Sequence, residues 1–144
     1  MTSATTQSYL RSQVMSASPQ ELRLMLLDAA IRFASQGRDG LRERDYERSF
    51  EGVSQARAIV TELATGVDRQ ADPELCDRVT GVFMHMFSEL TQANLERDPE
   101  RVQRVIDLLA YERETWAMAM ERVRAETPDQ PATAPAAGSL SVQA

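Results

Sequence analysis

Proline placement constrains this chain more than any other feature. Three of the six prolines directly follow a residue that caps helices well, at Ser18-Pro19, Asp72-Pro73 and Asp98-Pro99. The others, Pro128, Pro131 and Pro135, fall together near the end. Proline loses nothing at the first helical position, because its missing N–H would be unpaired there and its fixed φ suits the helix. A Ser or Asp just before it accepts a hydrogen bond from an orphan N–H of the first turn. The stretch 20–126 is therefore predicted to be a set of capped helices with no proline in any interior.

The apolar spacing fills in this frame. In the arm 1–17, Tyr9, Leu10, Val14 and Met15 are spaced like an amphipathic turn too short to be stable alone, so the arm is expected to dock on the body. The first long helix is predicted from Pro19 to about Arg44. Leu22, Met25, Leu26, Ala29, Ala30 and Phe33 form its core face, and Leu24, Leu27 and Ile31 a second line beside it. Gly37 and Gly40 are expected to weaken its far end, by about 1 kcal/mol each relative to alanine. A second helix opens at Asp45 and points Tyr46, Phe50, Val53, Ile59, Val60, Leu63 and Val67 inward. A third follows Asp72-Pro73, with Leu75, Val79, Val82, Phe83, Met86, Leu90 and Ala93 inward. The fourth follows Asp98-Pro99 and buries Val102, Val105, Ile106, Leu109, Trp116, Met120 and Val123. Long helices with short connections give an all-α fold, an antiparallel up-down four-helix bundle over 18–126. The Pro/Ala/Ser-rich tail 127–144 has too little apolar surface to order itself.

Composition removes several functions. A net charge of −6 argues against a nucleic-acid surface, which needs a basic patch. All 16 basic residues are arginine, which excludes lysine Schiff-base chemistry and a P-loop. Cys76, the single cysteine, allows no intrachain disulfide and no cysteine cluster for zinc, and at its helical spacing it is a small buried apolar residue. The N-terminus lacks the basic start and apolar run of a signal peptide, and no segment approaches a membrane span. The expected location is the cytoplasm.

Catalytic chemistry finds no foothold. His85 is the single histidine, with Glu89 one turn on, but a di-iron site wants Glu-x-x-His and position 82 is Val82. A histidine phosphotransfer domain would use His85 beside a cation, yet its sequence neighbours are Met84, Met86, Phe87 and Glu89; a half-exposed structural histidine is the expected role. Ser18 is a cap rather than a nucleophile, and Glu112 and Glu114 pair with arginines on a solvated face. No metal, cofactor, catalytic residue or small-molecule substrate is expected. The surplus apolar residues are more informative. Leu24, Leu27, Ile31, Phe87, Leu95, Leu108 and Tyr111 exceed what one bundle seam requires. Either they thicken the core or, with Tyr9 and Leu10 of the arm, they line grooves for the helices of a protein partner.

The run Tyr9 … Val14 … Ala17-Ser18-Pro19-Gln20-Glu21-Leu22-Arg23-Leu24-Met25-Leu26-Leu27-Asp28-Ala29-Ala30-Ile31-Arg32-Phe33 resembles the flagellar export chaperone family FliS. That family carries a leading tyrosine before A-S-P-x-x-L-x-x-M-L-Y-D-G-A-I. The likeness continues through Asp45-Tyr46-Glu47, Ala56–Leu63, Leu90-Thr91-Gln92-Ala93-Asn94, Asp98, Leu108-Leu109 and Arg113-Glu114-Thr115-Trp116. Leu27 stands in place of the usual tyrosine and Ala29 in place of the usual glycine. The resemblance implies a chaperone that binds the disordered C-terminal segment of flagellin in apolar grooves and prevents premature polymerisation. It also implies delivery of flagellin to the flagellar type III export apparatus. A helical adaptor or assembly regulator with another client is the alternative.

Overall fold

A computed structural model of the chain describes residues 7–8, 10–12, 15–66, 70 and 72–126. Tyr9, Val14, Val67 and the tail 127–144 lie outside the described residues. Residues 7–8, 10–12 and 15–16 are helical, with Leu10 and Met15 exposed. Four long helices follow: α1 (Pro19–Arg42), α2 (Tyr46–Ala64), α3 (Pro73–Glu96) and α4 (Pro99–Glu126). They run up, down, up and down. Each packs chiefly on its two neighbours around a square, α1 on α2 and α4, and α3 on α2 and α4. The described residues contain no strand.

A side-chain cap is realised at each start, with proline behind it at three of the four. Ser18 Oγ accepts from the Glu21 amide at 3.1 Å, while Glu21 Oε1 accepts from the Ser18 amide at 3.2 Å, closing a reciprocal capping box. The Asp45, Asp72 and Asp98 carboxylates accept from Arg48 N, Leu75 N and Glu100 N at 3.0–3.1 Å. The hydrogen bonds from Ser18 hold the Glu21 carboxyl below its ordinary value of 4.5. Glu21 thus stabilises the fold fully above pH 4.5, and the contribution is lost as pH falls through the lowered folded value. Helix α1 ends at Arg42, two residues earlier than expected, because Arg44 turns left-handed at φ 59° and the Asp45 amide bonds back to Gly40 O at 2.8 Å. Arg97 makes the same left-handed turn after α3, and its guanidinium lies 3.8 Å from the Tyr46 ring centroid.

The core runs down the middle of the square, where Leu27, Val53, Val60, Leu63, Phe83, Met86, Leu90, Val102, Val105 and Leu109 are fully buried. At one end Arg23 ties the helices together. Its Nη1 donates to Leu63 O at 3.2 Å, and its guanidinium lies 5.6 Å from the Phe83 ring and 5.4 Å from Trp116. Burial lowers the Arg23 pKa. Trp116 Nε1 donates to Gln20 O at 2.9 Å, fastening α4 to the start of α1.

The inward faces differ from the sequence expectation, and the cause is the α1–α2 contact. Gly37 and Gly40 do not merely weaken α1. A Cβ built on Gly37 would stand 2.8 Å from Val53 Cγ2, and one on Gly40 would stand 2.7 Å from Ser49 N. On the facing helix, a Cβ on Gly52 would stand 2.6 Å from Gly37 N and 2.7 Å from Phe33 O. The two backbones meet through glycine, so small residues occupy the contact: Ala30, Ala34, Gly37 and Gly40 against Ser49, Gly52, Val53 and Ala56. Turning Ser49 and Gly52 inward turns Tyr46 and Phe50 outward, and Phe50 is 63% exposed. Leu75 and Val123, also expected inward, are exposed. Leu22, Met25, Leu26, Ala29 and Phe33 are half-buried flanks of a stripe centred on Leu27, Ala30 and Ala34.

Two outcomes test this packing. Gly52→Ala should lower stability by about 2–3 kcal/mol through overpacking against backbone that cannot move aside, although alanine is the better helix former by about 1 kcal/mol. Urea unfolding measures it, and an unchanged or higher midpoint contradicts the seam. Ser18→Ala should cost about 1 kcal/mol at neutral pH, while Glu21→Gln, which removes the carboxylate that accepts from the Ser18 amide, should flatten the loss of stability below pH 4.5; an acid limb identical to that of the parent chain in Glu21→Gln contradicts the role given to Glu21.

Candidate partner-binding groove

The faces left over after core packing are the candidates for function. Of the four seams, the α3–α4 seam has the fewest close backbone approaches. Arg101 clamps it near the start of α4, with Nη1 on Glu89 at 3.0 Å and Nη2 on Glu96 at 3.2 Å. Beyond the clamp the seam opens into a groove of about 460 Å³, lined by His85 and Glu89 of α3 and by Arg104, Val105, Asp107, Leu108 and Tyr111 of α4. Val105 is buried beneath it, while Tyr111 is 68% exposed. Met118, two turns beyond Tyr111 on α4, and Leu75, on the α3 side, are also exposed. A surface of this kind takes the apolar face of a helix, with anchors at i, i+3, i+4 and i+7.

Two other faces have different chemistry. Between α1 and α2 a hollow of about 470 Å³ is walled by Gln36, Asp45, Glu47, Arg48, Glu51 and Gln55, with Phe33 and Gly52 at its sides, and is mostly polar. On the α2–α3 face Phe87 is half-buried under Arg57, whose guanidinium lies 5.2 Å from the ring and donates to Thr91 Oγ1 at 3.3 Å. Phe50, Met84 and Leu95 are exposed on these two helices, with Leu95 at 74%.

The residues singled out from sequence therefore separate. Leu108 and Tyr111 come together in the α3–α4 groove. Phe87 and Leu95 belong to α3, with Phe87 turned to α2. Leu24 and Ile31 are half-buried on α1, and Ile31 packs against the core. Leu10 is exposed in the N-terminal segment, and Tyr9 lies outside the described residues. Leu27 is corrected: it is 1% exposed and sits in the core, because the close α1–α2 approach turns its side of α1 inward. His85 was missed as a groove residue. It is exposed rather than half-exposed, and it shares the groove with Arg104. Its position four residues before Glu89 was the available signal, since Glu89 faces α4. Among the described residues no three His, Cys, Asp or Glu side chains are grouped to hold a metal ion, and no described helix is long and apolar enough to cross a membrane.

A family model described as flagellar protein FliS matches residues 1–123, a span that takes in the N-terminal segment, α1, α2, α3 and nearly all of α4. The chain belongs to the FliS family. Curated relatives named flagellar secretion chaperone FliS agree with this. The Salmonella typhimurium protein is 32% identical over 108 residues, covering 74% of this chain and 80% of its own. The Escherichia coli protein is 32% identical over 118 residues, covering 80% and 85%. The Campylobacter jejuni protein is 28% identical over 109 residues, covering 76% and 85%. The FliS signature stretch around Ser18-Pro19 is thus the capping box of α1 together with the helix that supplies the glycine seam.

Burial separates core from surface experimentally. Leu27→Ala should cost about 2–5 kcal/mol of stability, whereas Tyr111→Ala should stay within about 0.5 kcal/mol of the parent. Chemical denaturation of both variants checks this, and equal destabilisation would contradict the assignment.

Proposed function

We propose that this FliS-family chain is a cytoplasmic, non-enzymatic export chaperone for flagellin. In this reading its α3–α4 groove receives a helical piece of flagellin's disordered C-terminal segment. The chaperone keeps that segment from polymerising and delivers it to the flagellar type III export apparatus. Residues 18–126 carry the activity, and the tail 127–144 is dispensable for it. The observation that carries the reading is the family match over 1–123 on a bundle that leaves an apolar groove open.

The physical chemistry supports it. A client that orders on binding has conformational entropy to offset, so it needs an extended apolar surface rather than one deep pocket. Each leucine-sized side chain buried against the client contributes about 1.5–3 kcal/mol. Leu108, Tyr111, Met118 and Leu75 together match an amphipathic helix, and the charged wall residues Arg104 and Asp107 border the apolar strip. Leu24, Ile31, Phe87 and Leu95 would extend the same interaction around the bundle if the client wraps it.

Titration calorimetry with the flagellin encoded by the same genome tests the proposal. The parent chain should bind its C-terminal segment. Leu108→Asp should weaken the complex at least tenfold, because a carboxylate would have to be desolvated at the contact, with the melting temperature nearly unchanged. Absence of a complex with the parent chain, or full affinity in the variant, rules out this groove as the site.

A further inference from the structure

The charged side chains that line the α3–α4 groove are not equally satisfied. Glu89 is held by Arg101 Nη1 at 3.0 Å. Asp107 accepts from Gln103 Nε2 at 3.0 Å, and Gln103 Oε1 in turn accepts from Arg38 Nη1 of α1 at 2.9 Å. Both acids of the groove are therefore engaged by groups other than Arg104. Arg104 stands between the two systems, three residues after Arg101 and three before Asp107. It lines the groove, yet among the described residues no acceptor takes its N–H groups. His85, which lines the groove from α3, has no described partner either. Acids are not scarce in this chain, with 22 Asp and Glu against 16 arginines. The hydrogen bonds on Glu89 and Asp107 are what leave Arg104 without one.

An arginine placed in this way suits a carboxylate brought from outside. Its planar guanidinium takes a carboxylate through two parallel N–H···O bonds. A helix laid over the neighbouring apolar strip would shield that pair from water and make it stronger than a pair in open solvent. We infer that Arg104 reads an Asp or Glu on the client helix, with His85 offering a second donor from α3. Leu108, Tyr111 and Met118 follow Arg104 by four, seven and fourteen residues along α4. At the helical rise they lie about 6, 10 and 21 Å beyond it. The matching client segment carries a carboxylate at one end of its apolar face, with large apolar residues at about the same spacings from it. The ion pair fixes the client's register, which an apolar strip alone leaves free to slide. Residues 1–20 of the chain itself contain no Asp or Glu, so that segment has nothing to offer Arg104. The inference rests on the reading of this groove as flagellin's site, and it specifies which kind of segment that site takes.

The test uses the full-length chain and the C-terminal segment of the flagellin encoded by the same genome, reading calorimetric affinity and thermal unfolding together. Arg104→Gln should bind about tenfold more weakly than the parent, and Arg104→Glu at least fiftyfold more weakly. Both should melt within about 3 °C of the parent, since Arg104 is exposed and holds no described partner. Single changes of the client's Asp and Glu residues to Asn and Gln should pick out one residue. Its loss weakens the parent complex about tenfold and leaves the Arg104→Gln complex unchanged. Arginine at that client position should restore binding to Arg104→Glu. Undiminished affinity in both Arg104 variants, or no client residue that couples to Arg104, overturns the inference and leaves the flagellin reading standing. No binding by the parent chain removes both. Weaker binding matched by a fall in melting temperature would make Arg104 a structural residue and also overturns the inference.

Discussion

The glycine contact between α1 and α2 governs the rest of the bundle. Gly52 meets Gly37 and the Phe33 carbonyl so closely that no side chain fits between the backbones. Dispersion attraction falls away steeply with separation, so two helices in near contact along a stretch of small residues gain a dense, directional interface. That contact fixes the rotation of both helices. It turns Leu27, Ala30 and Ala34 inward and leaves Phe50 in solvent. The Arg23 and Trp116 ties then fasten α4 and the end of α2 to the same frame. The looser α3–α4 seam is left as the side where apolar surface stays open.

The sequence made the element boundaries legible because capping is local chemistry. Ser18, Asp45, Asp72 and Asp98 act within three residues of themselves, so their role does not depend on the tertiary fold. The fold class followed from four such starts and the short turns between them. Helix rotation was less legible. Hydrophobic periodicity weights large apolar residues, so Phe50 and Tyr46 were expected inside, while Gly37, Gly40, Ser49 and Gly52 carried no apolar signal. Where the contact is made by backbone, the absence of a side chain is the signal, and it becomes visible only once the facing helix is known.

The groove was legible in part. Leu108 and Tyr111 stood out as surplus to the core stripe, and the structure brings them together on one wall. Leu27 looked equally surplus and is a core residue, because surplus was judged against a stripe drawn through the wrong side of α1. His85 was weighed as a catalytic or metal residue and not as part of a groove, because it is not apolar and gains that place only from the Glu89–Arg101 pair that sets α3 against α4. Within the FliS family, the glycine seam and the capping box account for a stable frame, and the proposed activity then depends on what the less tightly packed pair of helices leaves exposed.

The central claim is that client binding uses the α3–α4 side and leaves the α1–α2 seam untouched. Amide hydrogen exchange of the full-length chain, with and without saturating flagellin C-terminal segment, tests it most directly. The account predicts slower exchange in 75–89 and 104–118 on binding, with 34–56 unchanged. Protection confined to 34–56, or to the α2–α3 face around Phe50 and Leu95, would contradict it.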